Sequence, residues 1–102
     1  MSQFDVYRLS SRRGGSQYVV DLQADILDEL ATRLVAPLRP LKSREDLVPR
    51  LTPVVEVQGE TYFIVLSEIA AIRLKELGRP IDNLGTHRDE IIAAIDILFT
   101  GI

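Results

Sequence analysis

The sequence predicts a small domain of short β-strands with one C-terminal helix. Three features predict it. Short segments rich in β-branched and aromatic residues recur along the first two thirds of the chain. A glycine at Gly59 sits between two such segments, at a spacing suited to a tight hairpin. Apolar residues from Ile91 to Phe99 then fall at helical spacing. At 102 residues the chain is expected to form one domain, spanning 1–102.

The elements follow in order. Phe4-Asp5-Val6-Tyr7-Arg8-Leu9 reads as a strand. Ser10 to Ser16 holds two glycines and three serines and reads as a loop. Tyr18 to Gln23 is a second strand, with Val20 and Leu22 on one face and Asp21 and Gln23 on the other. The two strands are expected to form a hairpin. In the segment 25–34, Ile26, Leu27, Leu30 and Leu34 recur at helical spacing, so the local reading is a short helix. Leu34 to Leu38 reads as extended. Pro37 and Pro40 place that strand at a sheet edge or break it, because proline donates no ladder hydrogen bond.

Lys42 to Arg50 is charged, contains Pro49 and reads as an exposed loop. Pro53 to Val57 and Thr61 to Leu66 flank Gln58-Gly59-Glu60, the clearest hairpin in the chain. Ser67 to Leu77 fits a helix through Ile69, Ile72 and Leu77, and fits a strand through the alternation of Ile72-Arg73-Leu74-Lys75. Gly78-Arg79-Pro80 ends it. For the last helix, Thr86 is the expected N-cap, with Asp89 at the capping-box position. Ile91, Ile92, Ile95, Leu98 and Phe99 form its apolar stripe, and Gly101 ends it.

Composition narrows the function classes. Without cysteine, disulfides and thiolate metal sites are excluded. No stretch approaches the ~20 apolar residues of a membrane span, and the opening MSQFDVYRL lacks the pattern of a secretory signal. The expected setting is the cytosol. The net charge of −3 gives no global basic surplus for gripping nucleic acid, so a protein partner is favoured.

No catalytic site, metal site or cofactor is expected. The one histidine, His87, lacks convergent partners and reads as a solvated residue in the first helical turn. No nucleophile elbow is present, and Gly14-Gly15-Ser16 lacks the lysine and helix of a phosphate loop. Arg8, Arg12 and Arg13 cluster near one hairpin, and Lys42 and Arg44 lie in the second loop. These five are the candidate contacts for an acidic, disordered protein segment. The tail Leu98-Phe99-Thr100-Gly101-Ile102 ends on an apolar residue, which either tucks into the core or forms a knob facing a partner. The broad helical stripe, with Ile102, also points to a homodimer.

The order of these segments resembles the CcdB toxin family. Gln3-Phe4-x-Val6-Tyr7 looks like its opening strand, and Val20-Asp21-Leu22-Gln23-x-Asp25-Ile26-x-Asp28 like its second strand and following loop. Arg33-Leu34-Val35-x-Pro37-Leu38 and Pro53-Val54-Val55 fit the middle strands. His87-Arg88, Ile91, Ala94-Ile95 and Phe99-x-Gly101-Ile102 resemble the C-terminal helix and tail. The resemblance covers nearly the whole chain.

It implies an SH3-like β-barrel with a C-terminal helix, of the CcdB/MazF-like kind. It makes Arg33 to Leu38 a strand, and Ser67 to Ala70 a short helical turn followed by a strand. It further implies a homodimeric toxin that binds the A subunit of DNA gyrase and traps cleaved DNA without catalysis of its own. A cognate antitoxin would neutralise it, and DNA would be met only indirectly, through that antitoxin. Gly101 and Ile102 carry over as gyrase-facing residues. Thr100 stands where the family has tryptophan, and Ala93 and Asp96 stand where it has polar helix positions, so poisoning is expected to be weakened. Two alternatives remain: a MazF-type endoribonuclease using the arginine cluster, and a non-toxic homologue kept as a regulatory partner.

Overall fold

A computed structural model describes residues 2–10, 16–27 and 30–101. Seven antiparallel strands form one sheet: β1 (Asp5–Ser10), β2 (Ser16–Asp21), β3 (Thr32–Pro40), β4 (Val54–Val57), β5 (Glu60–Ile64), β6 (Ala70–Arg73) and β7 (Asp82–Asn83). One helix follows, α1 (Arg88–Thr100). The spatial order is β4-β5-β3-β2-β1-β7, with β6 also pairing β3. The sheet curls into a nearly closed barrel. Gln58 Nε2 donates to the Ile81 carbonyl at 2.8 Å, tying the β4–β5 turn to the segment before β7.

Both expected hairpins are present. In the second, Val57 pairs with Glu60 across a two-residue turn. Gln58 and Gly59 have φ of 53° and 81°, as a type I′ turn requires. Glycine meets that requirement without strain, and the flanking alternation supplies Val55 and Val57 to the core.

The inner face of the sheet is apolar. Val6, Val20, Ala36, Leu38, Val55, Val57 and Ile64 pack there, and Ile91 and Ala94 of α1 close over them. The opposite face carries a second cluster, in which Tyr7, Val19 and Val35 lie under Leu77.

Four expectations need correction. The third strand is central, lying between β5 and β2. Val65 N–H donates to the Pro37 carbonyl and Leu41 N–H to that of Thr61, so odd-numbered residues here turn toward β5. The missing Pro37 N–H therefore faces the interval where β3 changes partner, between Leu38–Ile64 and Val35–Ala70. The Val65 carbonyl, which a Pro37 N–H would have met, accepts from Glu68 N–H at 3.1 Å instead and is not left unsatisfied. Second, the short helix expected from Asp25 shrinks to a 3₁₀ turn, Asp25–Leu27, and Thr32 to Leu34 join β3. Pairing with β6 outweighs the local helical spacing.

Third, Thr86 does not cap α1. A 3₁₀ turn, Gly85–His87, runs directly into the helix, and no side chain caps its start. Fourth, the first strand begins at Asp5, because Phe4 has φ of 70° and is held by bonds from its N–H to the Asp21 carbonyl and to its own carbonyl from Leu84 N–H. The stretch from Ser67 resolves as the family resemblance implies: a 3₁₀ turn, Leu66–Glu68, then β6.

Candidate functional site

The end of α1 presents an apolar side chain to solvent beside a rigid cap. Gly101 adopts φ of 76° and its N–H donates to the Ile97 carbonyl at 2.9 Å, a C-terminal cap suited to glycine. Ile91 and Ala94 are fully buried, whereas Phe99 is 72 % exposed. Phe99 is therefore a knob and no part of the core. Thr100 Oγ1 donates to the Asp96 carbonyl at 2.6 Å, which turns its hydroxyl back onto the helix. Gly101 is exposed, and Ile102 lies outside the described residues.

Arg8 is exposed on β1 and paired in register with Tyr18 of β2. Its guanidinium lies 5.5 Å from the centre of the Tyr18 ring and donates to the Tyr18 hydroxyl at 3.2 Å. Tyr18 meets Tyr62 of β5 edge-on, with ring centres 5.3 Å apart. Burial, and then the Glu60 carboxylate, push the Tyr62 phenol upward from its ordinary pKa. Tyr18, Tyr62, Leu38, Pro40, Gln17 and Arg39 line a hollow of about 340 Å³. Arg12 and Arg13 lie outside the described residues.

Lys42 and Arg44 are both exposed. The loop that carries them is more ordered than expected. It contains a 3₁₀ turn, Arg44–Asp46, capped by the Ser43 hydroxyl, which accepts from Glu45 N–H at 3.2 Å. Lys42 lines a second hollow, of about 480 Å³, with Phe63 and Val65, and Arg39 and Pro40 belong to both hollows. Strand alternation puts Arg8, Tyr18, Leu38 and Tyr62 on one face of the sheet and Arg39 and Phe63 on the other, so Arg8 and Lys42 are not brought together. Arg44 does not line either hollow.

Sequence reasoning missed two features. Ile26, in the 3₁₀ turn after β2, is 89 % exposed, and the helical reading of that segment hid it. Asp21 and Arg33 form an ion pair at 2.6 Å with both side chains fully buried. Arg33 Nε also donates to Asp21 at 2.9 Å, and Gln23 N–H donates to its other oxygen at 2.9 Å. Burial drives the Asp21 carboxyl upward from its ordinary pKa, and the bonds from Arg33 and Gln23 act against that. The signal for this pair was the alternation that put Asp21 and Gln23 opposite Val20; it showed a second face without showing that the face is covered.

That buried cluster is closed to a substrate. Tyr7, also fully buried, places its hydroxyl 3.5 Å from Asp5. Burial first, then the Asp5 and Asp21 charges, push the Tyr7 phenol up to about 12. Among the described residues no group of His, Asp or Glu side chains is arranged to hold a metal ion. His87 Nδ1 lies 3.8 Å from Glu90, and the pair stands on the surface at the start of α1. No helix among the described residues is long and apolar enough to cross a membrane.

Known proteins share this architecture. A mycobacterial endoribonuclease solved in complex with its cognate antitoxin superposes with a TM-score of 0.76 at 13 % identity, over 94 % of this chain and 91 % of that one. The Mycobacterium tuberculosis toxin MazF-mt6 gives 0.73 at 16 % identity, over 93 % and 95 %. These likenesses establish the CcdB/MazF-like fold. The family model described as CcdB protein matches residues 3–101, all but the two ends of the chain. With the barrel, the single closing helix and the glycine-capped tail in place, the chain belongs to the CcdB family.

Proposed function

We propose that this protein is the toxin of a toxin–antitoxin pair and acts by binding, with the A subunit of DNA gyrase as its target. The exposed end of α1 carries the reading. Phe99, at 72 % exposure, projects beside the capped Gly101 on a helix that Ile91 and Ala94 anchor to the core. An apolar knob at a rigid helix end is suited to a partner's groove. Gly101 and Ile102 extend that contact, and the exposed Ile26 supplies a second apolar anchor. The active unit is a homodimer in the cytosol. Its antitoxin is drawn to Arg8, Arg12, Arg13, Lys42 and Arg44, and repression of the operon runs through that complex.

Thr100 weakens the gyrase contact. Its hydroxyl is held by the Asp96 carbonyl and it offers no aromatic face. An interfacial tryptophan commonly supplies ~2 kcal/mol, roughly thirtyfold in affinity. The test is trapping of cleaved gyrase–DNA complexes by the protein and by Thr100→Trp. Weak trapping that rises about thirtyfold in the variant is expected. No trapping by either sinks gyrase as the target.

One observation favours a second reading, an endoribonuclease. Arg8, over the Tyr18 ring, and Tyr62, edge-on to it, form a basic and aromatic group at the surface, a chemistry that also suits single-stranded RNA. Cleavage of a labelled RNA by the purified protein, lost in Arg8→Ala, would establish it in place of gyrase binding.

A further inference from the structure

The side chain of Ile26 is 89 % exposed, so packing does not hold it in place. It stands on a 3₁₀ turn of three residues, Asp25–Leu27. A turn that short has little stability of its own. The bonds that hold it converge on Gln3. Gln3 N–H donates to the Asp25 carboxylate at 2.6 Å, and Gln3 Nε2 donates to the Leu22 carbonyl at 3.1 Å, so the stretch leading to Ile26 is pinned at both ends. The Gln3 carbonyl accepts from Asn83 Nδ2 at 3.2 Å, and its Oε1 accepts from the Arg88 guanidinium at 3.3 Å. All four polar groups of this one residue are used, and they join the Ile26 turn to β7 and to the first turn of α1.

Anchoring a chain end does not require this arrangement. Phe4 already does that, with its side chain buried and its N–H and carbonyl bonded to Asp21 and Leu84 at 2.6 and 2.9 Å. Phe4 nevertheless sits at φ of 70°. That conformation is costly for an aromatic residue and persists only where the surroundings over-determine it. The left-handed corner ends the line of β1 and lets Gln3 reach Leu22, Asp25 and Arg88. Asn83 completes the frame. Its Nδ2 also donates to Asp5 at 2.9 Å, and its Oδ1 accepts from Gly85 N–H at 2.7 Å, in the 3₁₀ turn that runs into α1. A side chain at position 85 would meet that oxygen at 2.8 Å, so glycine is needed there. From β3, Arg33 of the buried ion pair donates to the Gln23 carbonyl at 3.2 Å and steadies the same stretch.

We propose that Gln3 is a positioning residue, a clamp that sets Ile26 at a fixed place relative to α1 so that Ile26 and Phe99 meet one partner together. The inference deepens the proposed function and rests on its reading of these two side chains as apolar anchors. The gain is preorganisation: an anchor already held in its bound position loses less freedom on association. The chain has no cysteine, so Ile26→Cys and Phe99→Cys supply the only thiols for spin labels. Labelled full chain is diluted into unlabelled chain, and distances within one chain are read by pulsed EPR. Affinity for the A subunit of DNA gyrase is measured in parallel on unlabelled protein.

A narrow distance distribution is expected with Gln3 in place, and a broadened one in Gln3→Ala and Gln3→Glu. Gln3→Glu keeps an acceptor for Arg88 but has no N–H for the Leu22 carbonyl, and it serves if Gln3→Ala fails to fold. Gln3→Ala is expected to weaken gyrase binding about fivefold, and Ile26→Ala about tenfold. In the Ile26→Ala background, Gln3→Ala should cost nothing further, because its effect runs through Ile26. An unaltered distribution in the Gln3 variants would overturn the proposal. So would an equal loss from Gln3→Ala in the Ile26→Ala background, the mark of a residue that touches the partner or only holds the fold. A native chain that does not bind gyrase sinks gyrase as the target, and the distance distribution then decides the clamp on its own.

Discussion

The two faces of the sheet are held by different physics. The inner face is apolar throughout: Val6, Val20, Ala36 and Ile64 meet Ile91 and Ala94 of α1, all fully buried. The outer face buries Tyr7, Val19 and Val35 beside the ion pair of Asp21 and Arg33. Burying hydrocarbon is non-directional, so many residues of similar shape would serve on the inner face. A buried ion pair tolerates little change, because either partner alone is a charge without water. Among the described residues no buried side-chain nitrogen or oxygen lacks a partner, so the outer network is complete as it stands.

The largest expected effect tests this contrast directly. Arg33→Ala leaves the Asp21 carboxylate uncompensated and should cost about 4 kcal/mol. Replacing both members, Asp21→Leu with Arg33→Met, should recover most of that loss, read by urea denaturation. If the double variant is as unstable as the single one, the pair is more than a matched charge, and the comparison fails.

Next comes the inner face. Ile91→Ala removes a fully buried side chain and should cost about 3 kcal/mol. The cost should be the same at pH 6 and pH 9, since every fully buried member of that cluster is non-titratable. A pH-dependent cost would show that the two faces are coupled.

The smallest effect at neutral pH is on Tyr7. Its folded pKa of about 12 lies above its ordinary value of 10.0. A raised pKa means stability that is fully present below the unfolded value and lost as pH rises through the folded one. The expected loss reaches about 3 kcal/mol between pH 10 and 12, at ~1.4 kcal/mol per unit. Tyr7→Phe should change stability little at pH 7 and flatten the alkaline limb of a denaturation series. An unchanged limb would assign the alkaline transition to another group.

Much of the fold was legible in the residues. Alternation gave the hairpins, and Gly59 gave the turn between β4 and β5, because local sterics decide both. The apolar stripe gave α1, and Gly101 its end. Partner choice was not legible. Pro37 and Pro40 read alike as breakers of a strand, yet Pro37 sits harmlessly where β3 changes partner and Pro40 opens the sheet. Which side of a strand a missing N–H faces depends on register with distant residues.

The candidate site divides the same way. Arg8, Lys42 and the tail were visible as charge and as an apolar chain end. Tyr18 and Tyr62, separated in sequence and joined edge-on in space, were not. Sequence by itself determined the strand-rich class, the closing helix and the family resemblance, because periodicity and composition are local. Only tertiary structure decided that Asp21 and Arg33 are buried together, that Phe99 stands out in solvent, and that β2 and β3 part at Pro40. Each of these depends on what packs against a residue from far along the chain, and on which backbone groups are left without a partner when it does.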